Sequence, residues 1–393
     1  MIKDWTLVAA LASILLGIST ASVAEQITLD DGTAEAPYAY TLIADASPCL
    51  SPCEGFQPQL AINEFGIVAF VGCVERDPNM RCGVFAGNGG PLKLIAGLRA
   101  NPGLGRIENG PFSWVAAPSI NARGTVAFFG CLGSFPDARC GVFTGAGGPI
   151  STIVDEVSGP FSRIDGFTGA GIGISLDGTV AFVGCLRTGP CGIFKARNGE
   201  FTLAEEAAGR FSMNARGTVA FERCEADGCR VFTSRRGDTD IVAKINPLPF
   251  GASLPTAIPA IDARDTVAFL SCLAPNCATG WGIYTSRADR PIRLVVDTDA
   301  FGSLIIAPSI SADGTVAFFG CPAGRNSCGM YVIDTDDSAD AVILLGHACC
   351  FGPPFEFPLY NQDINSFGQV AFAGNLPDGR GGIVRANPRR WRR

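Results

Sequence analysis

The sequence contains a single histidine, His347, among its 393 residues. One imidazole cannot form a histidine metal cluster, and a Ser-His-Asp triad would depend on this one residue in a loop rich in cysteine and proline. We therefore expect His347 to be an inert loop residue. We expect no catalytic residue, no metal site and no cofactor.

An excess of basic residues is also absent. The chain has 30 Lys and Arg against 37 Asp and Glu, for a formal net charge of −7 and a pI near 4.9. Binding to phosphate backbones requires clustered Lys and Arg, so nucleic acid is excluded as a partner.

Long apolar runs are missing beyond the amino terminus. Lys3 precedes an apolar stretch from Trp5 to Ile18, and small polar residues then lead to Ala24. This is typical of a signal peptide over residues 1–24, since the run is shorter than the roughly 20 residues of a spanning helix. No later segment could span a membrane, and the first cysteine, Cys49, lies too far along for a lipid anchor. We predict a secreted or periplasmic protein without an integral membrane segment.

Sixteen cysteines accompany this export signal. In an oxidising compartment cysteines form disulfides, whereas zinc sites would require clustered C-x-x-C pairs that the repeats lack. The cysteines therefore predict a disulfide framework.

The composition, with 49 Gly and 26 Pro, favours short strands and tight turns over long helices. A Val-Ala-Phe tripeptide recurs seven times, 39 to 58 residues apart, which is close to the length of a propeller blade. We predict an all-β, seven-bladed β-propeller of four-stranded antiparallel blades. The repeated valines are Val68, Val126, Val180, Val219, Val267, Val316 and Val370.

The second repeat shows the pattern of one blade. Strands A, B, C and D are predicted at residues 118–121, 125–131, 140–144 and 150–154, between Gly and Asx turn signals. Strand B is apolar because both of its faces pack on other blades, and its central Ala leaves room for the neighbouring sheet. The Asn, Asp or Ser that follows the Ile-like residue of each strand A is predicted to bond the backbone of the A–B turn, a structural role.

Residues 174–182 (ISLDGTVAF) and 310–318 (ISADGTVAF) resemble the TolB-type, WD40-like propeller repeat, and the resemblance extends over about Tyr38 to Ala386. The chain differs in having Ile or Met at the Trp position, in replacing Asp-Gly with Arg-Gly or Phe-Gly in several blades, and in lacking the separate amino-terminal domain. It is more similar to secreted bacterial propellers with Ile-Asn-x-x-Gly-x-Val-Ala-Phe repeats. These resemblances imply the fold and no activity.

The seventh repeat ends after strand C. Residues 38–44 have the pattern of a strand D without A, B or C before them, so we predict that they close the ring in blade seven. The domains are then a signal peptide at 1–24, a linker at 25–37, a propeller at 38–387 and a basic tail at 388–393. We expect a monomer.

Six repeats place one cysteine at the end of strand B and one at the start of strand C, where an antiparallel hairpin brings two residues within disulfide range. Blade seven has Asn375 and Gly381 instead. The predicted staples are Cys73–Cys82, Cys131–Cys140, Cys185–Cys191, Cys224–Cys229, Cys272–Cys277 and Cys321–Cys328.

Four cysteines remain, Cys49 and Cys53 before blade one and Cys349 and Cys350 before blade seven. They either cross-link two neighbouring D–A loops or form two local bonds, and we favour the cross-link because it would reinforce ring closure.

Two motifs are explained more simply as turns than as binding sites. Residues 334–340, from Asp334 to Asp340, have oxygen donors at alternate positions, but Leu345 stands where an EF-hand has Glu, so a solvated turn is expected rather than a calcium loop. The tripeptide Arg236-Gly237-Asp238 also fits a C–D turn.

Two functions fit this architecture. We favour a non-catalytic recognition scaffold for a protein or glycan, and the alternative is a carbohydrate-acting lyase or hydrolase with its active site at the channel mouth. The D–A and B–C loops share one face and are long, whereas the A–B and C–D turns of the opposite face are minimal. Candidate binding residues on the loop-rich face are Arg76, Arg81, Phe135 and Arg139.

Overall fold

The computed structural model describes residues 26–27, 38–47, 59–74, 80–100, 109–134, 137–166, 171–206, 210–225, 228–245, 259–272, 281–304, 308–323, 327–334, 342–348, 362–375 and 381–389. Their regular structure consists of β-strands alone. In this part of the chain no helix has the length and apolarity to cross a membrane.

The strands form seven antiparallel sheets, one for each repeat. The first two strands, β1 (Gln26–Ile27) and β2 (Tyr38–Ala44), belong to blade seven. Blade one contains β3 (Ala46–Ser47), β4 (Leu60–Ile62), β5 (Val68–Val74), β6 (Arg81–Gly87) and β7 (Lys93–Gly97); blade two contains β8 (Phe112–Ile120), β9 (Val126–Leu132), β10 (Arg139–Gly145) and β11 (Ser151–Asp155).

Blade three contains β12 (Phe161–Asp165), β13 (Ile172–Ile174), β14 (Val180–Leu186), β15 (Cys191–Arg197) and β16 (Glu200–Glu206); blade four contains β17 (Phe211–Met213), β18 (Val219–Glu225), β19 (Gly228–Arg235) and β20 (Asp238–Ile245). Blade five contains β21 (Ala260–Ile261), β22 (Val267–Cys272), β23 (Trp281–Ser286) and β24 (Arg293–Asp297). Blade six contains β25 (Phe301–Leu304), β26 (Ser309–Ile310), β27 (Val316–Pro322), β28 (Ser327–Ile333) and β29 (Val342–Ala348); blade seven adds β30 (Gln362–Ile364), β31 (Val370–Asn375) and β32 (Gly381–Pro388).

The A strands of successive blades lie against one another in a closed cycle, in the order β4, β8, β13, β17, β21, β26, β30 and back to β4. In each sheet the order continues outward from strand A through B and C to D. Strand A is therefore innermost, and the fold is the seven-bladed propeller that the repeats predict.

The Val-Ala-Phe tripeptide explains how the blades pack. Val126 and Phe128 of blade two are fully buried in one cluster with Ala69 of blade one. Ala127, on the other face of the same strand, packs with Phe182 of blade three. Each large face therefore meets the small Ala of the blade before it, as expected from the sequence.

The ring is closed by the amino-terminal strand. β2 pairs antiparallel with β32 from Tyr38 opposite Pro388 to Ala44 opposite Ile383, so it is the strand D of blade seven. Two residues of the predicted linker extend this sheet further, because β1 pairs with Tyr40 and Thr41. The strand β32 also includes Pro388, the first residue of the predicted tail.

Four of the six predicted staples are disulfides in the structure: Cys73–Cys82, Cys131–Cys140, Cys185–Cys191 and Cys224–Cys229. Their cysteines lie directly opposite each other on strands B and C, with Cα atoms 3.9 to 4.0 Å apart. Cys321 is disulfide-bonded too, and Asn375 lies opposite Gly381 in blade seven.

Blade five departs from the expected pattern. Its strand C begins at Trp281, and Trp281 rather than Cys277 lies opposite Cys272. The pairing of Cys272 with Cys277 therefore does not follow from the strand register and stays a prediction. Cys277 lies outside the described residues, as do Cys49, Cys53, Cys349 and Cys350.

Strand A is longer than predicted. In blade two it begins at Phe112, so the segment from Phe112 to Ala117 belongs to the sheet and not to a D–A loop. Phe112 explains the difference, because its ring makes edge contacts with Phe128 and Phe143. In blades one, three and six strand A has two parts. In sequence order, Cys49 and Cys53 come between β3 and β4.

Candidate functional site

The two faces of the ring differ in their connections. On one face the A–B and C–D turns are tight; the C–D turns of blades three and four are two-residue hairpins in which Asn198 and Gly199, and Arg236 and Gly237, have positive φ. Arg236-Gly237-Asp238 is thus part of a hairpin turn. The opposite face bears the D–A and B–C connections, most of which are longer, although the B–C connection of blade four has two residues; we call it the loop-rich face.

A short segment on the loop-rich face connects blades two and three. Asp155 accepts hydrogen bonds from the backbone of Val157 at 2.8 Å and from the backbone and side chain of Ser158, each at 2.6 Å. Burial would raise the pKa of Asp155, but the hydrogen bonds from Ser158 and Val157 outweigh it, so the pKa is lowered. Nε of Arg139 lies 3.7 Å from this carboxylate. Arg139 therefore helps to fix the segment.

Of the four predicted binding residues, Arg81 and Arg139 are described. Each is the first residue of a strand C, in blades one and two, and each is half-buried beside a disulfide on the loop-rich face. Arg76 and Phe135 lie outside the described residues.

Strand B of blade four breaks the apolar pattern of the repeat. After Val-Ala-Phe it has Glu222 and Arg223, where the other six blades have an apolar residue followed by a small one. The corresponding pairs are Val71-Gly72, Phe129-Gly130, Val183-Gly184, Leu270-Ser271, Phe319-Gly320 and Ala373-Gly374.

Arg223 points towards blade three. Its guanidinium carbon lies 4.6 Å from the centre of the Phe232 ring, and its Nη1 pairs with Oε1 of Glu205 on β16. In blade three, Phe161 covers the equivalent ring, Phe194, with the centroids 4.8 Å apart. Arg223 thus covers Phe232 with a cation, where blade three covers Phe194 with an aromatic ring. Its pair with Glu205 joins blades three and four.

A second charged group lies closer to the axis. Asp165 is the last residue of β12, on the innermost strand of blade three, and its Oδ2 is 3.8 Å from Nη2 of Arg163. Arg210, immediately before strand A of blade four, has its pKa lowered by burial, and the charge of Asp165 opposes that change. One carboxylate therefore interacts with two guanidinium groups, and the Arg163 side chain is 66% exposed.

A third acidic residue lies at the junction of blades seven and one. Asp363 on β30 accepts hydrogen bonds from the backbone N–H groups of Ile62 and Ile364, both at 2.9 Å. Burial and, to a smaller extent, the nearby charge of Glu64 outweigh these two hydrogen bonds and raise its pKa to about 6. The bond from Ile62 connects two A strands, so we assign Asp363 to the closure of the ring.

Sequence reasoning did not single out Arg163, Asp165, Arg210, Glu222 or Arg223. The replacement of an apolar residue and Gly by Glu-Arg in the fourth repeat is a signal that could have found the last two. Asp165 and the arginines near it lie outside the repeated core, so no periodic pattern marks them.

Comparison with known proteins supports the fold. Residues 34–380 match the family described as a family of unknown function (DUF7453). The oligogalacturonate lyase of Vibrio parahaemolyticus has a similar structure, with a TM-score of 0.56, 15% identity and coverage of 92% of this chain and 96% of the lyase. An oligogalacturonate lyase in complex with manganese is similar, with a TM-score of 0.53, 15% identity and coverage of 93% and 98%.

A puromycin-hydrolyzing peptidase of Mycobacterium tuberculosis also matches, with a TM-score of 0.50, 15% identity and coverage of 89% of this chain. The chain spans only 55% of the length of that peptidase. At these identities the likeness concerns the propeller fold alone. No curated protein matches the sequence.

Proposed function

Because the chain belongs to the family of unknown function DUF7453, we propose a role from its own residues: an exported, non-catalytic scaffold whose loop-rich face binds a partner that carries carboxylate groups. The observation that carries this proposal is the interaction of Asp165 with Arg163, on the innermost strand of blade three, and with Arg210, immediately before the innermost strand of blade four.

The chemistry of arginine supports an acidic ligand. A guanidinium presents a planar set of donors that matches a carboxylate, and Arg163 is exposed enough to reach one while Asp165 holds it in position. The net charge of −7 gives no general attraction for anions. Recognition would therefore depend on this local group and not on steering by the whole molecule.

The positions of Asp165, Glu205 and Glu222 favour binding over catalysis. Asp165 lies on strand A of blade three and Glu205 on strand D of the same blade, with two strands between them. Glu222 is on blade four, next along strand B to Arg223 and so on the opposite face of that strand. General acid and base groups need to reach one substrate, and these three carboxylates do not share a site.

The disulfides support export. Four staples are formed, and such bonds persist in oxidising compartments and are rare in the cytosol. With the amino-terminal apolar run, they favour a secreted or periplasmic location.

The second candidate is a carbohydrate-acting lyase or hydrolase. It is favoured by the similarity in fold and length to oligogalacturonate lyase, whose named substrate is itself a polyanion. In this alternative Arg163 and Arg210 would bind a uronate carboxylate, so both candidates share a ligand chemistry and differ in turnover.

Calorimetric titration of the oxidised protein with galacturonate oligomers, and with neutral galactose oligomers of the same length, tests the proposal. We expect only the acidic oligomer to bind, and Arg163→Ala to weaken binding roughly tenfold or more. Arg197→Ala is the matched control, since Arg197 is 56% exposed and pairs with Asp177 on the opposite face. Equal binding of both sugars, or an effect of Arg197 alone, would contradict the proposal.

The same mixtures distinguish the two candidates. A scaffold leaves the oligomer intact, whereas a lyase generates unsaturated uronate ends that absorb ultraviolet light. A partner captured from the secreting cell would test whether the loop-rich face is the binding face. Substituting Arg76, Arg81, Phe135 and Arg139 together should weaken binding of this partner. Substituting Arg197 and Arg236, on the opposite face, should not.

A further inference from the structure

One disulfide of the ring has a carboxyl group beside it. Oε1 of Glu222 lies 3.5 Å from Sγ of Cys224, which is bonded to Cys229. A disulfide sulfur carries no hydrogen, so a hydrogen bond across this distance must be donated by a protonated Glu222. The carboxyl oxygen and both sulfur atoms lie within 4.8 Å of one another.

We propose that Cys224–Cys229 is a reactive disulfide that exchanges with an external dithiol, and that Glu222 is its proton donor and acceptor. Cys224 is exposed to solvent while Cys229 is buried, so an incoming thiolate can attack only the first sulfur directly. The proposal is independent of the acidic ligand proposed above.

The reaction has two steps. A thiolate of the external dithiol bonds to Sγ of Cys224, the disulfide breaks, and its electron pair leaves with Sγ of Cys229, which receives the proton of Glu222. The second thiolate of the dithiol then attacks its own sulfur in the mixed disulfide and releases Cys224 as a thiolate, which takes a proton from water. The dithiol is oxidised by two electrons and Cys224–Cys229 is reduced to two thiols.

The surroundings of Glu222 suit this role. Its strand partner Val231 and the neighbouring Cys229 belong to an apolar cluster with Ala243 and Phe269, and burial raises the pKa of Glu222 to about 7. A carboxyl group with this pKa is partly protonated near neutral pH, which is the condition for giving and taking a proton there.

The charged groups near Glu222 are engaged elsewhere. Arg223 points to the other face of the blade and pairs with Glu205, and Arg230 lies opposite Arg223 on the partner strand. Arg210 interacts with Asp165. From the neighbouring blade five, the described side chains in the cluster are Ile261, Val267, Phe269, Tyr284 and Ile292.

Blade three supplies a matched control within the same molecule. Cys185–Cys191 joins the same positions, with a sequence separation of 6 against 5. Cys191 is exposed, as Cys224 is. Val183 occupies the position of Glu222, two residues before the strand B cysteine. The two hairpins also differ in Arg223, which replaces Gly184, and in the exposed cysteine, which is on strand B in blade four and on strand C in blade three, so the Glu222 variants below are needed to isolate the carboxyl group.

The experiment follows both hairpins in the oxidised full chain during reduction by dithiothreitol between pH 5 and pH 9. The reaction is quenched by alkylation and the four cysteines are quantified by peptide mass spectrometry. After correction for the thiolate concentration, we expect Cys224–Cys229 to react at least roughly tenfold faster than Cys185–Cys191 below pH 7, and this advantage to disappear as Glu222 ionises at higher pH.

Glu222→Val and Glu222→Gln should each remove the advantage and its pH dependence while Cys185–Cys191 reacts as before. Valine restores the apolar residue of the repeat, so the variant is expected to fold, and the unchanged rate at Cys185–Cys191 verifies this. Equal rates for the two hairpins in the unsubstituted protein, or a full advantage in Glu222→Gln, would overturn the proposal.

Discussion

The side-chain amide of Asn365 donates a hydrogen bond of 3.0 Å to the backbone oxygen of Asn63, 302 residues away. Both residues occupy the first position of an A–B turn, in blades seven and one. The same bond joins Asn63 to Asn121, Asn121 to Ser175 and Asn214 to Asp262. The asparagine at this turn therefore also links its blade to the next, a function that Ser175, Ser311 and Asp262 lack because they have no amide.

Replacing Asn365 with Ser should destabilise the protein. The change removes the bond to Asn63, and it removes Oδ1, which accepts the backbone N–H groups of Phe367 and Gln369 at 3.0 and 3.1 Å. Loss of buried hydrogen bonds predicts a decrease of about 1–3 kcal/mol in the free energy of unfolding, measured with urea. Ser311→Ala is the control, since its position makes no amide link, and its smaller effect sets the baseline. An unchanged free energy for Asn365→Ser would show that the link adds no stability.

Stability should depend on pH through Asp363. Its pKa is raised from 3.8 to about 6 in the folded protein, so the neutral carboxyl favours the folded state. That stability is complete below about pH 4 and is lost as the pH rises through about 6, by about 3 kcal/mol at 1.4 kcal/mol per unit of pKa. Asp363→Ser, which introduces the residue of blades two, four and six, should remove this part of the pH dependence. Parallel pH profiles for the two proteins would contradict the assignment.

The sequence predicts the fold because the same residue pattern occurs in each repeat. Val and Phe on one face and Ala on the other specify how blades pack, and the Asx turn and paired cysteines specify the hairpins. Strand A could not be bounded in the same way, because Phe112 and Phe161 lie before the repeated segment and are recognised only by the rings they contact.

The candidate site was less predictable. Asp165 and Arg210 come from different blades and meet only because the A strands converge on the axis, which no spacing along the chain reveals. Glu222 and Arg223 could have been identified from the sequence, because they depart from a pattern that the other six repeats keep. Residues that depart from a structural pattern in this way are often functional.

The glycine of strand C should resist substitution. A Cβ on Gly141, which lies opposite Asp155 on β11, would be 2.3 Å from the backbone oxygen of Val154. Since backbone atoms cannot move aside readily, Gly141→Ala should lower the free energy of unfolding by about 1–3 kcal/mol in urea titrations. Gly148→Ala is the control, because a Cβ added there would have no atom within 4 Å. Similar stabilities for both variants would show that the strand adapts at no cost.

The last prediction concerns ring closure, because β2 is the whole of strand D in blade seven. A chain that begins at residue 45 lacks this strand, which exposes the hydrogen-bonding groups of β32 and removes the buried side chains of Tyr38, Tyr40 and Ile43. A chain that begins at residue 38 lacks β1 but keeps β2, and it is the matched control. We expect the longer deletion to lower the Tm by about 10 °C or more, since several kcal/mol are lost, and the shorter one to change it little. Because every blade packs on two others, the ring should melt in one transition at the lower temperature. Equal melting temperatures for the two chains would mean that β2 does not hold the ring closed.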